Sequence, residues 1–115
     1  MITPAMIIRD QKNNIEKLKE LNAQLLQANK AYKDYDSLKK TYYARMVKDS
    51  TGKSMKEKET NVLASKEWEN FLKEENDHYL RLQSLKYHKE VLSAKIQLAT
   101  QEISLLKDEM KFLGG

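Results

Sequence analysis

The residues whose types and spacing could support metal chemistry are Glu74, Glu75 and His78, which fall within one turn of a predicted helix. A Glu-x-x-His pair on a helix is half of the carboxylate–histidine site found in helical bundles. The complete site needs a matching pair on a second helix, and the first predicted helix does not supply one. In an oligomer, two copies of Glu75-x-x-His78 could combine to form the site. We favour the simpler interpretation, in which Glu75, His78 and Lys89 are polar residues that fix the register of a helical interface. The sequence therefore predicts no metal.

Gly52-Lys53-Ser54 matches the end of a phosphate-binding P-loop, but the full motif fails. That motif needs a second glycine five residues earlier, where Val47 stands, and a preceding β-strand. We interpret the segment as a turn followed by a helix cap. In such a capping box the Ser54 hydroxyl accepts a backbone N–H, and the Glu57 carboxylate reaches back to the start of the helix.

The strongest candidate for ligand binding is a basic segment around two adjacent tyrosines. Between residues 39 and 58, seven cations outnumber two carboxylates. Cations attract phosphates, and an exposed tyrosine can stack on an unpaired base. At most one of the two tyrosines can face a helix interface fully, so we expect the other to be available. The predicted nucleic-acid-binding residues are Lys39, Lys40, Tyr42, Tyr43, Arg45, Lys48, Lys53, Lys56 and Lys58. The alternative is an ordinary solvated helix end.

Composition argues against catalysis. The chain has no cysteine, which excludes disulfides and thiolate metal sites. It has neither a histidine–carboxylate–serine set placed by turns nor a Gly-rich oxyanion loop. We therefore expect no enzymatic activity and no cofactor.

Long helices must position these residues, because the 115 residues include only three Gly and one Pro, and 33% are charged. Thr3-Pro4 is typical of a helix start. We predict one domain over 1–115, with helix one at about 4–48, a turn at 49–54 and helix two at about 55–113. The predicted fold class is all-α, an antiparallel helical hairpin or coiled coil with a longer C-terminal helix.

Apolar residues recur at steps of three or four in both predicted helices. In helix one they are Ile15, Leu18, Leu21, Leu25, Ala28, Tyr32, Tyr35, Leu38, Tyr42 and Met46. In helix two a four-three alternation runs from Trp68 to Leu113 and predicts left-handed supercoiling. Folding about Gly52 pairs Tyr35 with Trp68, Tyr32 with Phe71, Ala28 with Glu75, Leu21 with Leu82 and Asn14 with Lys89.

In this register helix one ends opposite about Ala99, which leaves the C-terminal apolar stripe without a partner inside the chain. An exposed apolar stripe of that length normally marks an interface. We therefore expect a homo-oligomeric bundle assembled through the C-terminal helix. The predicted interface residues are Leu92, Ile96, Ile103, Leu106, Met110 and Leu113.

The turn and the second helix resemble a group of small helical-hairpin phage and prophage proteins, in the stretches 43–59 and 79–113. The shared pattern is a polar helix, a short Gly-containing turn, a charged helix start and a long Leu/Ala-patterned helix. Such proteins lie near recombination and replication genes. The resemblance implies an accessory role in DNA recombination or replication.

Two functions are favoured from sequence; a third class, a metal-dependent bundle enzyme, would require bound metal that a His78→Ala variant loses. The first is a non-enzymatic coiled-coil accessory protein that contacts DNA through its basic segment, with a recombination or host protein as a further partner. The alternative is a protein-interaction module (a scaffold, an assembly chaperone or an inhibitor of a host enzyme) that binds no nucleic acid. The apolar start at residues 1–8 lacks the features of a signal peptide, and no apolar run approaches about 20 residues. We expect a cytoplasmic protein, in the host cytoplasm if viral.

Overall fold

The computed structural model describes the backbone of residues 2–114 and the side chains of residues 2–111. Helix α1 spans Pro4–Asp49, α2 spans Met55–Leu63 and α3 spans Lys66–Gly114. The predicted all-α antiparallel hairpin is confirmed. The predicted second helix, however, is two helices, because Ala64 and Ser65 separate α2 from α3. The contacts divide the chain into two compact units: the tip unit, Leu26–Gln83, and the terminal unit, Met1–Leu25 with Ser84–Gly115.

In each unit, one stripe of α1 packs against one stripe of α3, and we call these facing stripes the seam. The α1 stripe largely follows the predicted spacing, with two corrections. Leu38 is 58% exposed and Lys39 lies in the seam instead. Ile15 is likewise exposed, and Asn14 takes the seam position. Both changes follow from a strict four-three alternation of the positions that face α3. Lys39 and Asn14 occupy such positions and therefore face α3 although their side chains are polar.

The predicted pairing register in the tip unit is wrong by about one heptad. Tyr35 contacts Phe71 and His78 instead of Trp68, and Tyr32 contacts Tyr79 instead of Phe71. The observed contacts are centred near Met55, about three residues later than Gly52. When the point of reversal moves by one residue along the chain, each α1 residue faces an α3 residue two positions further on. A move of about three residues therefore accounts for a shift of about one heptad.

In the terminal unit, Gln11 connects the two helices by hydrogen bonds. Its Nε2 donates to the carbonyl oxygen of Ile96 at 3.0 Å and to Oγ1 of Thr100 at 2.9 Å. The first turns of α1 therefore lie level with Ile103 and Leu106, both half-buried. The premise that α1 ends opposite Ala99 was wrong, for the same reason as in the tip unit.

A second apolar stripe follows α3 in the terminal unit, on the side away from α1. At about 100° per residue it lies about 160° around the helix from the seam. This outer stripe consists of Tyr87, Val91, Ala94, Leu98 and Leu105, all exposed. The exposed fractions of Leu98 and Leu105 are 60% and 63%. A helix with a single interface normally carries polar residues there, so α3 is apolar on two opposite sides.

Among the described residues, no helix combines the length and the apolarity that a membrane crossing requires.

Candidate nucleic-acid interface at the hairpin tip

The start of α2 is held by the predicted cap. The Glu57 N–H donates to the Ser54 hydroxyl at 3.2 Å, while the Glu57 carboxylate accepts the N–H of Lys53 at 3.1 Å. Capping satisfies backbone donors that a helix start otherwise leaves free. The P-loop-like segment Gly52-Lys53-Ser54 thus serves as a turn and a cap.

Two further contacts fix the connection between α1 and α2. The Asn61 side-chain amide donates to the carbonyl oxygen of Thr51 at 2.7 Å, which holds the connection against α2. A Cβ at Gly52 would meet the backbone nitrogen of Lys58 at 3.1 Å. The close approach of the two backbones therefore requires glycine at this position.

Ser65 produces the break between α2 and α3. Its hydroxyl donates to the carbonyl oxygen of Val62 at 2.6 Å and accepts the N–H of Trp68 at 3.2 Å. One side chain thus satisfies an acceptor at the end of α2 and a donor at the start of α3. The break lets Val62 and Trp68 join Val47 of α1 in a single buried cluster.

Both tyrosines of the predicted binding segment pack on Trp68. The ring of Tyr42 stacks with the indole at a centroid distance of 6.5 Å, and the ring of Tyr43 meets it edge-on at 5.2 Å. Both side chains are half-buried. Trp68 lies between the two positions and contacts both rings. That one of them is available to a ligand stays a prediction.

The cations fall into two groups. Lys39 lies in the seam, where its Nζ contacts Oε1 of Glu75 at 3.0 Å, so it belongs to the helix interface. The other six surround the end of α1 and the start of α2, and within the described chain none has a carboxylate oxygen within 4.0 Å. They are Lys40, Arg45, Lys48, Lys53, Lys56 and Lys58.

The two sides of the tip differ in charge. A groove of about 410 Å³ between α1 and α2 is lined by Tyr43, Val47 and Met55 and by the charged residues Lys48, Lys58 and Glu59. We call it the basic groove. The opposite groove, of about 340 Å³, has one cation, Arg45, beside two carboxylates, Asp49 and Glu67. An anion is therefore attracted more strongly to the side of Lys48 and Lys58.

The residues considered for metal binding have other partners. Oε1 of Glu75 accepts from Lys39, and its Oε2 has no hydrogen-bond partner in the described chain. The imidazole of His78 lies 4.8 Å from the ring of Tyr35. The Tyr35 hydroxyl donates to Glu74 at 2.8 Å. This hydrogen bond, together with burial and the nearby negative charge, raises the pKa of Tyr35. Within residues 2–111, no three His, Asp or Glu side chains are grouped to hold a metal.

The predicted oligomer interface lies mostly in the seam. Leu92, Ile96, Ile103 and Leu106 are half-buried towards α1, and Met110 is exposed. Leu113 lies outside the described side chains. Sequence reasoning missed the outer stripe, although it has its own signal. Tyr87 and Ala94, and likewise Val91, Leu98 and Leu105, recur every seven residues.

No protein-family model matches the chain, and no curated protein and no solved structure is similar to it at the level that marks a relationship.

Proposed function

We propose that the protein is a non-enzymatic accessory factor that binds nucleic acid through the cations of its hairpin tip. The supporting observation is the set of six tip cations without ion-pair partners within the described chain. Neutralising phosphates releases condensed counterions, which favours binding by exposed Lys and Arg. The role in DNA recombination or replication rests on the resemblance of the turn and second helix to phage proteins.

The mode of contact we propose is phosphate binding, with little reading of bases. Tyr42 and Tyr43 are engaged with Trp68, and nothing else aromatic lines the basic groove. Phosphate contacts position a protein on a duplex but carry no sequence information. We therefore expect binding that is sensitive to salt and nearly independent of sequence.

The test compares two triple variants that remove the same charge from different places. Lys48→Gln, Lys53→Gln and Lys56→Gln remove three exposed tip cations. Lys12→Gln, Lys17→Gln and Lys30→Gln remove three exposed cations elsewhere on α1. Fluorescence anisotropy with labelled single- and double-stranded oligonucleotides gives the affinity at each salt concentration.

The tip variant should weaken binding at least about tenfold and lower the slope of log affinity against log salt by about 2 to 3 on duplex DNA, since each phosphate contact contributes about 0.9. The control variant should change both values much less. Equal losses in the two variants would mean that only net charge matters. An unmodified protein that binds neither oligonucleotide at about 50 mM salt would refute the proposal.

A protein-interaction module without nucleic-acid affinity is the second candidate. The observation in its favour is the outer stripe of α3, because large exposed apolar stripes usually bind proteins. Absence of oligonucleotide binding, together with a defined complex with a different protein that depends on Leu98 and Leu105, would support it.

A further inference from the structure

The outer stripe of α3 is bordered on each side by a row of exposed residues whose charge changes sign along the helix. One border contains His88, Lys95, Glu102 and Glu109, and the other contains Glu90, Gln97, Ser104 and Lys111. The first border is basic towards its N-terminal end and acidic towards its C-terminal end. The second border has the opposite order. Within the described chain, none of these side chains forms an ion pair.

When two copies of such a row run antiparallel, the basic end of one copy faces the acidic end of the other. The midpoint of Lys95 and Glu102 lies between residues 98 and 99, and the midpoint of Glu90 and Lys111 lies between residues 100 and 101. A single two-fold axis near this point of α3 therefore places opposite charges together along both borders. A parallel arrangement lacks this property, because it would set Glu102 and Glu109 beside uncharged residues.

We propose that the outer stripe is the docking surface for a second copy of this chain, with the two α3 helices packed antiparallel about a two-fold axis near residue 99. In this pairing Ala94 lies opposite Leu105 of the partner, and Leu98 lies opposite Gln101. The small side chain of Ala94 thus leaves room for Leu105 of the partner, as close helix packing requires. Lys95 lies beside Glu102 of the partner, and the symmetry makes this ion pair twice.

The extent of the contact is limited by Asp108. It falls on the outer stripe opposite Val91, so the apolar contact is confined to the turns around residues 94–105. Exposed ion pairs set orientation more than strength. The affinity therefore depends mainly on the leucines, and the antiparallel direction depends on the charges.

The leucines are tested by sedimentation velocity of the full chain over a concentration series. The unmodified protein should form a dimer, and Leu98→Glu with Leu105→Glu should be monomeric at the same concentrations. The matched control is Leu26→Glu, at a leucine that is 73% exposed and outside the stripe, and it should dimerise normally. A monomeric unmodified protein, or a dimer that survives the double leucine change, would overturn the proposal.

The direction is tested by exchanging charges. Lys95→Glu places like charges together twice in the dimer, and Glu102→Lys does the same, so each should raise the dissociation constant about tenfold. The double variant restores opposite charges across the two-fold axis and should recover the original constant. Failure of the double variant to recover would exclude the antiparallel pairing. Circular dichroism of each variant checks that the helices are intact. Since all these substitutions lie away from the tip cations, oligonucleotide binding can succeed or fail independently.

Discussion

The tip unit and the terminal unit use the same two long helices, but their interiors differ. All five buried residues of the described chain, which are Ala28, Val47, Val62, Trp68 and Leu82, belong to the tip unit. Rings there form a connected series from Tyr43 through Trp68, Tyr42 and Phe71 to Tyr35. The terminal unit has a seam of half-buried aliphatic residues and the two hydrogen bonds of Gln11.

Part of the difference comes from the third helix, α2, which joins the buried cluster of Val47, Val62 and Trp68. Two helices alone bury a narrow stripe, which leaves most side chains exposed on one side. In the tip unit, α2 covers the end of α1 and brings Val62 onto Val47. Among the described residues of the terminal unit there is no such cover, and its outer stripe is exposed. We infer that folding stability is concentrated at the tip and that the terminal unit gains most from a partner.

The largest effect should come from Trp68→Ala. The indole is 7% exposed and contacts three other rings. Its removal should lower the free energy of unfolding by about 3 kcal/mol. In the terminal unit, Leu92→Ala removes a half-buried side chain and should cost about 1.5 kcal/mol. Urea unfolding followed by circular dichroism gives both values. Equal costs would show that stability is not concentrated at the tip.

An intermediate effect should come from Ser65→Ala, which removes the side chain that joins α2 to α3. Loss of a helix N-cap should cost about 1 kcal/mol. The control is Ser93→Ala, at an exposed serine inside α3, which should be neutral or slightly stabilising because alanine is the better helix former. Hydrogen exchange locates the change: amides of α2 should lose protection in the Ser65 variant. If the amides of the terminal unit lose more, the contrast between the units is wrong.

The smallest effect should come from Tyr35→Phe and should depend on pH. Hydrogen bonding to Glu74 raises the pKa of Tyr35 in the folded state above its unfolded value. Its contribution to stability is therefore fully present below about pH 10 and is lost as the pH rises through the folded-state pKa. Thermal unfolding above pH 10 should show a smaller alkaline loss in this variant than in the unmodified protein. Tyr87→Phe, at an exposed ring of the terminal unit, should leave the alkaline loss unchanged.

The sequence predicted the helical class, the turn cluster and the capping box at Ser54, because these depend on local residue chemistry. It also placed Trp68, Leu82 and Leu92 correctly on the inward side of the second helix, since periodicity identifies a face. It did not predict the register, because any shift by seven residues keeps every seam residue facing inward. The correct shift is set by the Asn61–Thr51 hydrogen bond and by the approach of Gly52 to Lys58.

The positions of the candidate residues were predicted in part, and their binding to nucleic acid stays a prediction. Six of the seven cations lie around one end of the hairpin, whereas Lys39 pairs with Glu75 in the seam, which the wrong register did not bring together. Tyr42 and Tyr43 were expected to compete for one interface. Trp68 offers both a face and an edge, so it accommodates both rings. Such a geometry depends on three-dimensional contacts between distant residues, which local patterns do not contain.

The cluster of Val47 and Val62 also bears on the order in which the chain folds. These residues are 15 positions apart, whereas Gln11 and Thr100 are 89 positions apart. Closing the longer loop first would cost about 1.6 kcal/mol more in chain entropy. We expect the hairpin to nucleate at the tip and to zip towards its ends, so that each pair of turns is added as a short loop. Substitutions at Val62 should then slow folding, and substitutions at Ile96 should mainly speed unfolding.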